Sequence, residues 1–249
     1  YVPASYTSKI DPVTGFFNFL NPKPLTIATN QAFFGKFDSI RYNKDKDYFE
    51  FVATYGNFNV SGSEESKGKK KKNHQGELLA ALSATKWTIC SHTAERYRLK
   101  RTKNGSVSYE SVDCNQEFKE NLEKAGISYE DGSELRDRIA SSNDAAFLKG
   151  MIDTLRSLLA LRYNNGKKGT EEKDYILSPV ADSKGNFFNS LNADESLPVD
   201  ADANGAYHIA KKGLLLIDKI KAFESDGKKK YPDLSLTNHE WFYSLWFRK

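Results

Sequence analysis

The sequence predicts a mixed α/β fold of the α+β kind, and three observations carry the prediction. Short β-rich runs crowd the first half of the chain, at Tyr48–Ala53, Lys86–Ser91 and Glu95–Lys100. From Asn115 onward apolar residues recur at three- and four-residue steps, the period of a helix with one buried face. After Asp202 that period runs longer than a globular strand could, through Ala206, Ile209, Ala210, Gly213, Leu214, Ile217 and Ile220. Strands early and helices late predict an insert of short strands and helices, followed by helices that belong to a different unit.

In chain order, residues 1–25 are rich in proline and aromatics, with Asp11-Pro12 and Thr14-Gly15 punctuating a turn into a short strand. Asn30 is a good cap for a helix over Gln31–Tyr42, with Phe33, Phe34, Phe37 and Ile40 as its apolar face. Tyr48–Ala53 reads as a strand and Glu77–Leu82 as a helical turn. Lys86–Ser91 and Glu95–Lys100 read as two more strands, the second placing Arg96, Arg98 and Lys100 on one face and Tyr97 and Leu99 on the other. Asn104-Gly105 is a hairpin signal leading into Val107–Glu110. Asn115 caps Gln116–Lys124, which Gly126 stops, and Ser133 caps Glu134–Ser141. Asn143 opens the longest helix, whose apolar face runs to Leu161 and ends at Arg162 beside a flexible loop over Asn164–Thr170. Tyr175–Val180 is extended, Lys184-Gly185-Asn186 is a turn, and helices follow over Ala203–Ala222 and from Asn238 through Trp246.

Composition narrows the class. The 249 residues are 39% hydrophobic and 28% charged, enough for one large or two small domains and too polar for a membrane protein. No apolar run reaches the length of about eighteen residues that a membrane helix needs, and Tyr1-Val2-Pro3-Ala4-Ser5 is not a secretory signal. The chain opens without Met and holds only Met151, so it reads as a piece of a longer polypeptide. Cys90 and Cys114 stand apart with no CxxC spacing, which argues against a disulfide framework or a zinc site and suits a reducing cytoplasm. The net charge is only +4, but Lys67, Lys69–Lys72, Lys86, Arg96, Arg98, Lys100, Arg101 and Lys103 fall in one segment. That segment either follows a phosphate backbone or, at the lysine run, is a solvated loop.

Chemistry concentrates at Pro198–Ile209. Asp200 and Asp202 sit at the start of the amphipathic run, where free N–H groups and the positive dipole end hold a carboxylate ionised. Either acid can be a helix cap. A metal-binding aspartate is the alternative, since two-metal nucleases of the ribonuclease H type hold magnesium with three or four carboxylates and magnesium favours such oxygens. Glu50, between Phe49 and Phe51, is the nearest candidate partner, but strand alternation turns it to solvent, and no complete metal site can be built. Arg162 and Asp174 flank the Gly/Asn/Lys-rich loop. They form either an ion pair closing that loop or a site where the planar guanidinium faces a phosphate. His74, His92, His208 and His239 lack metal-ligand spacing, and there is no GxSxG, Walker loop or GxGxxG.

Asp200-Ala201-Asp202-Ala203-Asn204-Gly205-Ala206-Tyr207-His208-Ile209, with Pro179-Val180 and Gly185-Asn186-Phe187-Phe188, resembles the C-terminal part of the type V-A CRISPR effectors, single-protein RNA-guided DNA endonucleases. Residues 1–16, Phe37-Asp38, Tyr48–Phe51, Lys86–Ile89, Leu161-Arg162 and Asp174-Tyr175 carry the same resemblance, which spans the chain and is weakest over the lysine run and residues 92–142. It implies a Nuc domain over residues 1–199, inserted before the third segment of a ribonuclease H-like (RuvC-like) nuclease at 200–249. By position in the motif Asp202 matches the third catalytic aspartate, a Mg2+ ligand, and Asp200 is its neighbour. Arg162 matches the Nuc arginine needed to cut the target strand, and Asp174 a nearby Nuc acid. The other two catalytic carboxylates then belong upstream of Tyr1. Target DNA, both strands, and guide CRISPR RNA are the implied partners of a monomeric cytoplasmic effector. Arg96, Arg98 and Lys100 are expected to touch DNA phosphates. The chain departs from the family at Tyr163-Asn164, where an Asn-Ser pair is common, and at Lys69–Lys72, which looks like an insertion.

Overall fold

Alternation along β2 (Tyr48–Thr54) turns Phe49, Phe51 and Ala53 into the core, and the strand pairs antiparallel with β1 (Ser39–Asn43) and β3 (Lys86–Cys90). In the computed structural model the chain is described at residues 2, 4, 7–58, 73–94, 96–101, 104–164, 174–223 and 231–247. Lys67, Lys69–Lys72, Glu95, Lys103, most of the loop before Asp174 and the side chain of His74 lie outside the described residues. Among the described residues the architecture is mixed α+β, with eight α-helices and three small antiparallel sheets. No helix among them is long and apolar enough to cross a membrane. The strand order is β1-β2-β3 in the first sheet. The second is the hairpin of β4 (Arg96–Arg101) and β5 (Val107–Val112), and the third is β6 (Arg162–Asn164), β7 (Asp174–Ala181) and β8 (Phe187–Asn189).

One aromatic core joins these parts. Helix α4 (Cys114–Lys124) covers one side of the first sheet, with Phe118 against Phe49 and Phe51 at ring separations of 5.8 and 5.0 Å, and α6 (Ala145–Leu158) packs against α4. At the other side Phe17 stacks on Phe242 of α8 (Asn238–Phe247) at 4.2 Å, and Trp87 meets Trp246 edge-on at 5.2 Å. The start of α8 is a capping box: Glu240 N–H donates to Thr237 Oγ1 (3.2 Å), and Thr237 N–H donates back to the Glu240 carboxylate (2.9 Å). The turn at Asp11–Phe16 docks on this helix. Gly15 has φ +79°, and a Cβ there would lie 3.1 Å from Leu245 and Trp246, so only glycine fits. Asp11, fully buried, accepts from Val13 N–H (2.8 Å) and Thr14 Oγ1 (2.6 Å); burial pushes its carboxyl above the ordinary range against those bonds. Cys90 and Cys114 are buried and free.

Several helix boundaries differ from the sequence reading, and competing hydrogen bonds explain them. The first helix is α1 (Ile27–Phe34), capped by Thr26, because Asn30 is buried and its side-chain oxygen accepts from Leu25 N–H (3.1 Å). The last four residues of the expected helix, 39–42, instead lie in the edge strand β1. Asp113 caps α4, because Asn115 accepts from Ser91 Oγ (2.8 Å) and donates to the Asp47 carbonyl (2.7 Å). Asp144 caps α6 in place of Asn143. Helix α5 spans only Arg136–Ala140, since Glu134 reaches back to the β1 edge and accepts from Ile40 N–H (2.7 Å) and Ser39 Oγ (2.6 Å).

The last long helix, α7 (Ala201–Lys221), is inverted relative to its apolar pattern. Its buried side carries Asn204, His208 and Lys212, while Leu214, Ile217 and Ile220 are about half exposed (60%, 45% and 50%). Asn204 Nδ2 donates to the Ile10 carbonyl (2.9 Å), and Lys212 Nζ lies over the Trp241 ring (5.2 Å). The polar stripe is therefore held against residues 7–13 and α8, and the apolar stripe faces outward.

Candidate nucleic-acid interface

The site is assembled where β6, β7 and the N-terminus of α7 meet. Helix α6 ends at Leu158, before the position the sequence reading gave it, and Leu161 adopts φ +60°. Arg162 N–H donates to the Ala160 carbonyl (2.7 Å) across it, closing a three-residue γ-turn of the strained kind. The turn is held because Leu161 is fully buried and its carbonyl accepts from Leu177 N–H (2.9 Å). Arg162 consequently starts a strand and does not end a helix.

Pairing then sorts the side chains. Arg162 lies opposite Ile176 and Asn164 opposite Asp174, so these four share one face, while Tyr163, Tyr175 and Leu177 form a small cluster on the other. The diagonal Arg162–Asp174 pair is bidentate: Nε donates to Oδ1 at 3.1 Å and Nη2 to Oδ2. Pro179 cannot donate to the ladder, so the β7–β8 register slips between Leu177 and Ala181, and Val180 N–H turns to Ser178 Oγ (3.2 Å).

Helix α7 is fixed onto this face by Ala201, fully buried against Ile176 and Phe188. Asp200 is its cap, accepting from Ala203 N–H at 2.7 Å, and Asp202 in the first turn points away from the helix, its side chain 90% exposed. The packing brings Asp202 Oδ1 within 3.5 Å of Arg162 Nη2, forty residues away in sequence. Asp200 thus takes the capping role, and Asp202 keeps its oxygens free of the helix N–H groups. The hydrogen bonds of Asp174, and beyond them the charges of Asp174, Asp202 and Asp200, push the Arg162 guanidinium further up from its ordinary value.

The basic row on β4 does not reach solvent as a unit. Arg96 is 1% exposed, its Nη1 donating to the His92 carbonyl (2.9 Å) beneath the hairpin, so it cannot meet a phosphate in this structure. Beside it His92 stacks on Phe187 at 3.7 Å, and burial pushes its imidazole down to about 3. Arg98 ties β4 to two helices, through Ser157 Oγ (2.8 Å) and Glu117 Oε2 (2.8 Å). Lys100 pairs with Glu110 across the hairpin (3.2 Å) and stays on the surface. A groove of about 740 Å3 runs between this hairpin, the end of α6 and Arg162, lined also by Tyr109 and Arg156, which the sequence reading did not single out. The available signal was the aromatic in the second strand of an Asn-Gly hairpin and the cation in the last turn of α6.

Among the described residues no group of three or more His, Cys, Asp or Glu could hold a metal ion. Glu50 accepts from Asn43 Nδ2 (2.9 Å) within the β1–β2 hairpin. These residues therefore do not build a magnesium site by themselves.

A profile of the NUC nuclease domain matches residues 10–192. The match covers well over half of the chain, which belongs to this nuclease-domain family. Nucleic acid is accordingly its substrate class.

Proposed function

We propose that this chain is the C-terminal nuclease portion of a type V-A CRISPR RNA-guided DNA endonuclease. In this reading residues 1–199 are the Nuc domain, which positions the target strand through Arg162 and Asp174. Residues 200–249 are the third RuvC-like segment, and Asp202 is one carboxylate of a two-metal magnesium site completed by carboxylates outside these 249 residues. The observation that carries the reading is the approach of Asp202 to Arg162 at 3.5 Å, which puts the proposed ligand beside the proposed strand-positioning arginine. The family match supports it by ending at residue 192, before the α7 cap. The outward stripe of Leu214, Ile217 and Ile220 supports it too, since a helix that completes a larger nuclease domain needs such a face. Target DNA and guide RNA are the partners in this reading.

In the enzyme that carries this chain, Asp202→Ala is expected to abolish cutting of both strands while guide and target binding persist, read on end-labelled duplex substrate. Cutting retained at ordinary magnesium would overturn the assignment. A second reading, that the chain alone is a non-catalytic strand-loading module, is favoured by the lack of a three-ligand metal group among the described residues. Metal-dependent cleavage by the purified chain excludes it.

A further inference from the structure

The groove beside Arg162 has one wall that the ion pairs do not use. On the hairpin, Leu99 lies opposite Tyr109, and the two are 46% and 37% exposed. Tyr97, two residues before Leu99 and on its face, also lines the groove and rests on the Tyr163–Tyr175 cluster, so the wall is braced at one end. Across the groove stand Arg156, in the last turn of α6, and Arg162 at its end. The Arg156 side chain is 54% exposed, and its contact with Asp153 is long, at 3.5 Å. Asp153 is also engaged by Lys149, and Asp174 by Arg162, so both carboxylates of the lining already face cations. An aromatic wall set against guanidinium groups suits a strand whose bases are unpaired and whose backbone is charged. A duplex, with its bases stacked inside, offers nothing to the tyrosine.

We propose that this groove holds a single strand of nucleic acid, one base stacked on Tyr109 and one backbone phosphate met by Arg156, beside Arg162. The inference rests on the nuclease reading above and adds two positioning residues to it. Stacking tolerates any base, so the contact is indifferent to sequence, as a strand chosen by guide pairing would require.

The test is fluorescence anisotropy of the full chain with labelled oligo(dT) and with an abasic oligonucleotide of equal length. Tyr109→Ala is expected to weaken oligo(dT) about tenfold, which is about 1.4 kcal/mol, and to leave the abasic strand unchanged, with Tyr109→Trp restoring the loss. Arg156→Gln is expected to weaken both strands and to reduce the salt slope by about 0.7. If Tyr109→Ala weakens both strands equally, or neither, stacking is overturned while the nuclease reading, judged by Asp202→Ala and cutting, stands. If an acidic peptide displaces oligo(dT) as well as unlabelled oligo(dT) does, the groove recognises charge alone and the inference falls. If the unaltered chain binds neither oligonucleotide, the inference falls as well.

Discussion

Glu134 and Asp202 are both acids within reach of an arginine, and the fold uses them in opposite ways. Glu134 spends its acceptor capacity on the edge of β1, taking hydrogen bonds from Ser39 Oγ, Ile40 N–H, Arg136 N–H and Arg41 Nε. Burial alone would raise its pKa; the bonds from Ile40 and Ser39 outweigh that and hold it down to about 2. Asp202 meets Arg162 at 3.5 Å and keeps its carboxylate 90% exposed. The helix cap it could have served is filled by Asp200. An acid whose lone pairs are all engaged holds structure, whereas one with a single long contact and an exposed carboxylate keeps lone pairs that can bind something else.

Four measurements press on that contrast. The largest effect is expected for Asp202→Asn in the enzyme that carries this chain: on the proposed metal-ligand role it should lower strand cutting by more than about 100-fold, the upper end of what losing even an outer partner of a metal ligand costs. Its thermal unfolding should stay within about 0.5 kcal/mol of the unaltered chain, as for an exposed surface change. Glu134→Ala should reverse the pattern: about 1–3 kcal/mol of stability lost in urea unfolding, from the unsatisfied N–H and hydroxyl groups at β1, with cutting intact. Arg162→Lys keeps the charge but loses the second parallel hydrogen bond, and cutting should slow about tenfold. A pH series makes the smallest and most diagnostic change. The pKa of Glu134 is depressed from an ordinary 4.5 to about 2, so its contribution is complete above 4.5 and fades as pH falls toward 2. The stability gap between the unaltered chain and Glu134→Gln should therefore narrow across that interval; a constant gap contradicts the ionised role.

Local signals read well wherever local chemistry decided the outcome. Strands β2 and β3, the Asn-Gly hairpin and the stop at Gly126 follow from alternation and turn residues that have no better use elsewhere. The helix caps were misread because Asn30 and Asn115 are recruited by the tertiary fold, a choice invisible to a local window. Arg96 looked like a surface cation because strand alternation cannot tell a face packed on α4 and α6 from one facing water. Periodicity located α7 but reversed its inside and outside, since Asn204 and Lys212 found partners in residues 7–13 and α8. Arg162 and Asp174 were legible as a pair; the turn at Leu161 that aims them at Asp202 was not, because leucine gives no warning of a positive φ.

The clasp between α8 and the Gly15 turn has a consequence in time. Trp246 Nε1 donates to the Gly15 carbonyl at 3.0 Å across 231 residues of chain, and Phe17, Tyr55 and Trp87 all rest on that indole. During synthesis these aromatics emerge well before the helix that covers them, so the first sheet stays open on one side until α8 is made. Closure across so long a span is slow. The nascent chain thus carries this aromatic surface uncovered over more than two hundred residues of synthesis, and the arrival of α8 is the event that buries it.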